Sequence, residues 1–79
     1  MKTYTITCDG REYKTKYKAG DRVKVQGYFS VILLSEVDEY LTSETGKLYW
    51  TIRIKASKKD NGAYLEGVSI ADEEITEVL

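Results

Sequence analysis

Strict alternation of apolar and polar residues marks the centre of this chain. Between positions 47 and 55 the apolar residues are Leu48, Trp50, Ile52 and Ile54. Successive side chains of a strand point to opposite faces, so the alternation predicts a strand with one apolar face and one basic face. A helix would scatter the same residues around its axis. We therefore expect residues 47–55 to form a strand whose apolar side chains point into a shared core.

A second alternating pattern, near the N-terminus, predicts a β-hairpin. Residues 3–8 and 11–18 flank Asp9 and Gly10, the residue pair that favours the two left-handed positions of a type I′ turn. A two-residue loop fixes the register, and this register collects the apolar residues on one face. The expected pairs are Cys8 with Arg11, Ile6 with Tyr13, Tyr4 with Thr15 and Lys2 with Tyr17. The expected apolar face comprises Tyr4, Ile6, Cys8, Tyr13 and Tyr17.

The pattern between these two elements is partly ambiguous. After a turn at residues 19–21, residues 22–26 alternate as a short strand. Residues 28–41 fit an amphipathic helix or a strand, and their aromatic and β-branched residues favour the strand. Residues 42–46 are then expected to form the loop that leads into the central strand.

The C-terminal third continues the series of short strands. Residues 57–62 end in Asn-Gly and predict a charged hairpin tip, and residues 63–69 predict its return strand. Residues 72–74 are acidic and suit one helical turn, after which Ile75, Val78 and Leu79 are expected to pack back on the sheet. The whole pattern predicts a mainly β protein, a small antiparallel barrel of five or six strands, with all 79 residues in one domain.

Two segments resemble a known family. Residues 18–27 contain the G-D-x-V-x-V entry strand of SH3-like barrels of the KOW type, and residues 68–75 resemble the short acidic turn that closes such domains. The resemblance covers residues 18–79 and leaves the N-terminal hairpin as an addition. It implies a non-catalytic module that binds protein or nucleic acid, of a kind found in small proteins of bacteriophages and mobile elements. An OB-fold is the competing barrel.

The composition argues against most catalytic chemistry. The chain has no histidine and one cysteine, so it lacks the commonest general base and the ligands of a Cys/His metal site. No phosphate-binding or calcium-binding motif occurs. We therefore expect no enzyme activity, no catalytic residues, no cofactor, no metal and no small-molecule substrate.

Smaller features have structural interpretations. Cys8 lies on the apolar hairpin face, which predicts a buried and unreactive thiol. Residues 72–74 are consecutive acids whose side chains diverge, which predicts a helix-start surface. The longest apolar run is four residues, at positions 31–34, so no membrane span is expected. The N-terminus lacks the apolar region of a signal peptide, and the expected compartment is the cytoplasm.

Charge is segregated along the chain although the net charge is −1. Residues 1–28 carry a net charge of +4, residues 29–46 carry −4, residues 47–59 carry +5 and residues 60–79 carry −6. Such blocks can pair across strands to give a mixed, solvated surface, which is the favoured interpretation, or they can form distinct charged faces that point to partners.

Tyrosine beside basic residues is the positive functional signal. Seven of the nine aromatic residues are tyrosines. Tyrosine and arginine anchor protein interfaces, which predicts a module that engages a protein partner or self-associates. Aromatic residues flanked by bases also hold single-stranded nucleic acid, which is the alternative function. The expected binding surface comprises Lys47, Tyr49, Arg53, Lys55, Lys58 and Lys59.

Overall fold

A computed structural model describes residues 2–55 and 64–79 of the chain. These residues form a mainly β, antiparallel fold, as the pattern predicted. The elements are Tyr4–Cys8 (β1), Arg11–Thr15 (β2), Arg22–Val25 (β3), Ile32–Val37 (β4), Glu39–Thr45 (α1), Tyr49–Lys55 (β5), Tyr64–Ala71 (β6), the 3-10 turn Asp72–Glu74 and Ile75–Val78 (β7).

The N-terminal hairpin has the predicted register. Asp9 and Gly10 have φ angles of 51° and 75°, so both occupy the left-handed region that a type I′ turn requires. Tyr4 pairs with Thr15, Ile6 with Tyr13 and Cys8 with Arg11. β1 and β2 form a separate two-stranded sheet, and Ile6, Tyr13 and Tyr17 pack against the core of the larger sheet. The hairpin therefore covers the main sheet instead of extending it.

The main sheet has five strands in the order β6-β5-β4-β3-β7. Its two edge strands, β6 and β7, are separated by only the three residues of the 3-10 turn at Asp72–Glu74. A flat sheet of five strands would hold its edges roughly 19 Å apart, which three residues cannot span while reversing direction. The sheet is therefore curled, so that the end of one edge strand meets the start of the other.

The central strand supplies the core, as predicted. Trp50 and Ile52 are fully buried, Leu48 is buried and Ile54 is half-buried. They pack with buried residues of the other strands, which are Val23, Val25, Ile32, Leu34, Ile70 and Ile75. The strand itself begins at Tyr49, two residues later than expected, and its pairing with β6 shifts register between Ile52 and Ile54.

The ambiguous segment holds both a strand and a helix. β4 accounts for its middle, where Ile32 and Leu34 are fully buried. The expected loop at residues 42–46 is wrong, because α1 runs through Thr45. Asp38 caps the start of α1 by accepting a hydrogen bond from the backbone N–H of Leu41 over 3.0 Å. Gly46 ends the helix in the left-handed conformation.

The C-terminal residues are only partly as expected. The 3-10 turn is present, and Ile75 is buried. Val78 and Leu79, however, are 50% and 59% exposed, so the expectation that they pack back on the sheet is wrong. The reason is that β7 is an edge strand, so that Val78 pairs with Val23 of β3 on one side and has no neighbouring described strand of the main sheet on the other. The return strand begins at Tyr64 and extends to Ala71; the expected hairpin tip at residues 57–62 lies outside the described residues.

Candidate functional site

The structure divides the predicted binding surface between the two ends of β5. Lys47 and Tyr49 lie at the start of this strand, and Arg53 and Lys55 lie near its end. Tyr49 and Arg53 are four residues apart, which is about 13 Å along a strand. Lys58 and Lys59 fall outside the described residues. The predicted residues therefore do not form one continuous patch among those that the structure describes.

The start of β5 is bordered by acids. Lys47 Nζ lies 3.2 Å from Glu73 Oε1, in an exposed ion pair. Tyr49 is half-buried, and its backbone N–H donates to Thr42 Oγ1 over 3.0 Å because α1 packs beside it. These contacts make Lys47 and Tyr49 part of the link between β5, α1 and the 3-10 turn.

Carboxylates also line a shallow depression next to Thr51. Its walls include Glu36, Asp38 and Glu39. The Leu41 backbone N–H and the Ser69 hydroxyl both donate to the Asp38 carboxylate, and these hydrogen bonds lower its pKa below the ordinary value. Asp38 is therefore ionised and structural at neutral pH. This end of the surface is unfavourable for a polyanion such as nucleic acid.

The other end of β5 belongs to a row of three residues across three strands, in which two arginines flank a leucine. Leu33 of β4 pairs with Arg22 of β3 on one side and with Arg53 of β5 on the other. Their neighbours Val23, Ile32 and Leu34 are buried, so this row faces outward. Both arginines are exposed, and Leu33 is half-buried between them. We call Arg22, Leu33 and Arg53 the basic row.

The connection between β3 and β4 carries three exposed apolar residues, among them the most exposed one in the described part of the chain. Phe29 is fully exposed at 107% of its reference area, and Tyr28 and Val31 are 37% and 43% exposed. A large apolar side chain that stays exposed to water does not gain the free energy of burial, and a cluster of such side chains marks a site of interaction. We call residues 27–31 the interaction loop.

Backbone hydrogen bonds hold the start of the interaction loop. The N–H of Tyr28 donates to the carbonyl of Val25 over 3.1 Å, which closes a turn. Gly27 occupies this turn with a φ of +87°, a backbone conformation that residues other than glycine rarely adopt. Gln26 donates to the carbonyl of Glu74 over 2.9 Å and ties the turn to the 3-10 segment. The aromatic residues are therefore presented from a fixed base.

Sequence reasoning missed the interaction loop. Residues 28–41 were interpreted as one element, which placed Phe29 within a strand. Phe29 is not part of a strand, because residues 25–28 form a turn and strand pairing starts again only at Ile32. Gly27 was the available signal, because a glycine between two β-rich segments favours a turn with positive φ.

A polar junction fastens the N-terminal hairpin to the main sheet. Oδ1 of Asp72 accepts hydrogen bonds from the Trp50 indole N–H over 2.8 Å and from the Thr15 hydroxyl over 2.5 Å. The hydroxyl of Tyr17 donates to the carbonyl of Ile75. Burial of the Tyr17 ring, and then the negative charge of Asp72, raise the pKa of the Tyr17 hydroxyl, which stays protonated as a donor. These groups serve the fold.

Cys8 is buried, as predicted. Its Sγ lies 3.8 Å from the backbone carbonyl of Glu39 and 4.0 Å from the hydroxyl of Ser43, so the thiol sits between the hairpin tip and α1. Within residues 2–55 and 64–79, no group of three potential metal-ligating side chains comes together.

Comparison with known proteins adds no relative. No protein-family model matches the chain, and neither curated proteins nor solved structures give a match. None of the helices in the described part is long and apolar enough to cross a membrane.

Proposed function

We propose that this protein is a non-catalytic binding module with an SH3-like barrel, and that it engages a protein partner through the interaction loop. The strand order β6-β5-β4-β3-β7 supports the SH3-like assignment, as does the 3-10 turn that joins the two edge strands, β6 and β7. The proposed origin in a bacteriophage or mobile element rests on the resemblance of residues 18–27 and 68–75 alone.

The observation that carries this proposal is the exposure of Phe29. A fully exposed phenylalanine contributes little to folding, and aromatic residues dominate the binding energy of protein interfaces. Tyr28 and Val31 are exposed apolar neighbours of Phe29 in the same loop. The turn at Gly27 fixes the start of the loop, which lowers the entropy that the loop loses when it binds a partner. The interaction loop thus has the composition of an interface anchor and begins at a fixed turn.

The test compares Phe29→Ser with a matched control. Tyr40 on α1 is also an exposed aromatic residue, at 73%, but it lies at the opposite end of the sheet. Wild type, Phe29→Ser and Tyr40→Ser are each immobilised and incubated with host lysate. The proteins that each variant captures are then quantified by mass spectrometry. Analytical ultracentrifugation of the three soluble proteins measures self-association.

The expected result is a stoichiometric partner, or a dimer, that Phe29→Ser loses and Tyr40→Ser keeps. The proposal fails if every captured protein and every oligomer is retained equally by the two variants.

Binding of nucleic acid is the second candidate, and the basic row is the observation that favours it. Arg22 and Arg53 are exposed on the outer face of the main sheet, and Phe29 is exposed in the loop that joins β3 to β4; cations and exposed aromatic rings are the residue types that hold single strands. A nucleic-acid binder loses affinity steeply as salt rises, because phosphate contacts release counterions. Fluorescence anisotropy with labelled single- and double-stranded oligonucleotides at low salt tests this candidate. A flat titration removes it.

A further inference from the structure

The N-terminal hairpin is attached to the rest of the molecule without sharing a sheet with it. β1 and β2 form their own two-stranded sheet, and within the described residues no backbone hydrogen bond joins residues 2–17 to the main sheet. A two-stranded hairpin is at most marginally stable by itself in water. The position of the hairpin therefore depends on the side chains that pack beneath it and on polar contacts at its two ends.

The packing beneath the hairpin is incomplete. Ile6 and Tyr13, which pair across the hairpin, lie against the core but are only half-buried. Trp50 and Ile52 of the main sheet, in contrast, are 1% and 0% exposed. Because the free energy of burial is roughly proportional to the apolar area removed from water, separating the hairpin costs less than opening the core.

Polar contacts hold the hairpin at its tip and at its base. At the tip, Cys8 Sγ lies 3.8 Å from the carbonyl oxygen of Glu39 and 4.0 Å from Ser43 Oγ, so the thiol makes only weak hydrogen bonds to α1. At the base, the Thr15 hydroxyl donates to the Asp72 carboxylate of the 3-10 turn. Hydrogen bonds to a charged acceptor are stronger than neutral ones, so the base is the firmer attachment.

Open clefts separate the hairpin from its neighbours between these contacts. One cleft, of about 220 Å³, has Tyr13 and Lys14 of the hairpin and Asp72 and Glu73 of the 3-10 turn in its lining. A second cleft, of about 360 Å³, lies between the hairpin tip and α1. The hairpin is therefore not closely packed against either of these neighbours.

The chain is fixed again directly after the hairpin. The N–H of Lys18 donates to Asp21 Oδ2 over 3.0 Å, and the N–H of Gly20 donates to the carbonyl of Leu34 in β4 over 2.8 Å. Residues 16 and 17 connect β2 to this anchored turn and belong to no strand. Hinges consist of a few such residues at the ends of elements, where a change in backbone angles breaks no strand pairing.

We infer that the N-terminal hairpin is a strap that lifts from the main sheet as one unit, hinged at residues 16 and 17, while the five-stranded sheet stays folded. Lifting breaks the contacts of Cys8 and Thr15 and exposes Ile6 and Tyr13, together with the part of the core that they cover. The strap thus controls access to an apolar surface made of residues other than those of the interaction loop.

Hydrogen exchange of the native full-length protein, followed by NMR at low urea concentrations, tests the inference. The amides of Ile6 and Tyr13 report on the hairpin, and those of Trp50 and Ile52 report on the main sheet. A unit that opens separately exchanges through an opening of lower free energy than global unfolding. We expect Ile6 and Tyr13 to share one urea dependence and to be protected at least about thirtyfold less than Trp50 and Ile52. Equal protection at all four amides overturns the inference.

A conservative core substitution separates lifting from global unfolding. Ile52→Val weakens the main sheet, so it is expected to speed the exchange of the Trp50 amide by about twofold to tenfold. Because lifting leaves residue 52 buried, the amides of Ile6 and Tyr13 are expected to exchange at the wild-type rate. An equal acceleration at the hairpin amides means that the hairpin opens only when the whole chain unfolds, and it overturns the inference.

A disulfide at the hairpin tip gives a second test. Ser43→Cys places a thiol on α1 at the position whose oxygen lies 4.0 Å from Cys8 Sγ. In the oxidised variant the tip cannot leave α1, so the exchange of Ile6 and Tyr13 is expected to slow by at least about tenfold. The same variant in its reduced form is the matched control and is expected to exchange like wild type.

The disulfide also distinguishes lifting from fraying of the two paired strands. Fraying begins at the open end of the hairpin, at Tyr4 and Thr15, which is remote from the tip at Cys8. Exchange of Ile6 and Tyr13 that is equally fast in the oxidised and reduced variants therefore reports fraying and overturns the inference. Mass spectrometry verifies the disulfide, and the comparison with Ile52→Val decides the matter if the bond does not form.

Discussion

The indole N–H of Trp50 donates to Oδ1 of Asp72 over 2.8 Å, and this bond joins the centre of the core to the turn that connects the two edge strands. Trp50 is 1% exposed, so its N–H has no access to water. The hydroxyl of Thr15, which is also buried, donates to the same oxygen and brings the N-terminal hairpin into the network. One carboxylate oxygen thus connects the core, the 3-10 turn and the hairpin.

Replacing Asp72 is therefore expected to destabilise the fold. Asp72→Ala leaves two buried donors without an acceptor, which costs about 1–3 kcal/mol for each unsatisfied group. Urea unfolding followed by Trp50 fluorescence measures the loss. Glu73→Gln is the control, since it removes only the exposed ion pair with Lys47 and is expected to change stability by less than about 0.5 kcal/mol. Equal effects of the two substitutions would contradict this account.

Asp38 is expected to make stability depend on pH. Its native pKa is lowered by the hydrogen bonds from Leu41 and Ser69, so its carboxylate stabilises the fold above the unfolded-state value of about 3.9. This contribution is lost as pH falls through the lower native pKa. Asp38→Asn keeps a good helix cap and is expected to flatten the loss of stability below about pH 5, whereas Asp38→Ala removes the cap and costs about 1 kcal/mol at neutral pH.

Chemical denaturation from neutral to acidic pH measures this dependence. Glu44→Gln removes an exposed acid of the same helix and is expected to keep the wild-type pH dependence. If Asp38→Asn loses stability with acid as steeply as wild type, the role assigned to this carboxylate is wrong.

Burial predicts opposite consequences for two large apolar residues. Ile52 is fully buried at the centre of the core, and Ile52→Ala is expected to cost about 2–5 kcal/mol, a large part of the stability of a domain this small. Phe29 is fully exposed, and Phe29→Ser is expected to leave the free energy of unfolding within about 0.5 kcal/mol of wild type. Urea titrations give both values. A strongly destabilised Phe29→Ser variant would assign that residue to folding.

Two substitutions in the hairpin turn are expected to differ in their effect on stability. Gly10 has a φ of 75°, and Gly10→Ala is expected to cost about 1 kcal/mol because a Cβ disfavours this region, although no atom would collide with it. Asp9→Asn retains a residue suited to positive φ and is expected to be neutral or slightly stabilising. Thermal unfolding measured by circular dichroism ranks the variants. Equal melting temperatures for the two would mean that the turn does not limit stability.

The sequence was sufficient for the elements whose patterning is local. The hairpin register followed from the length of the Asp9-Gly10 loop, because a two-residue turn leaves one way to pair the strands. The inward face of β5 followed from its alternation, and Trp50 and Ile52 are buried accordingly. Both inferences needed only residues that are neighbours along the chain or across one turn.

The remainder depended on competition between weak local signals. α1 has seven residues, too few for periodicity alone to distinguish it from a loop, and the caps at Asp38 and Gly46 set its ends. The surroundings of the candidate surface could not be predicted, for another reason. The alternation of β5 put Tyr49 and Arg53 on one face, but it held no information on which strands and helices would border each end. Pairing with β4 placed Leu33 between Arg22 and Arg53, and the start of α1 placed Asp38 next to Tyr49.

The length of the 3-10 turn limits how far apart the two edges of the curled main sheet can lie. Because residues 72–74 alone join the two edge strands, an insertion there would let the edges separate and would pull the Asp72 carboxylate away from Trp50 and Thr15. The interaction loop carries no such restriction beyond its initial turn, since it joins neighbouring strands that already pair. The fold should therefore tolerate a change in chain length at residues 28–31 better than one at residues 72–74.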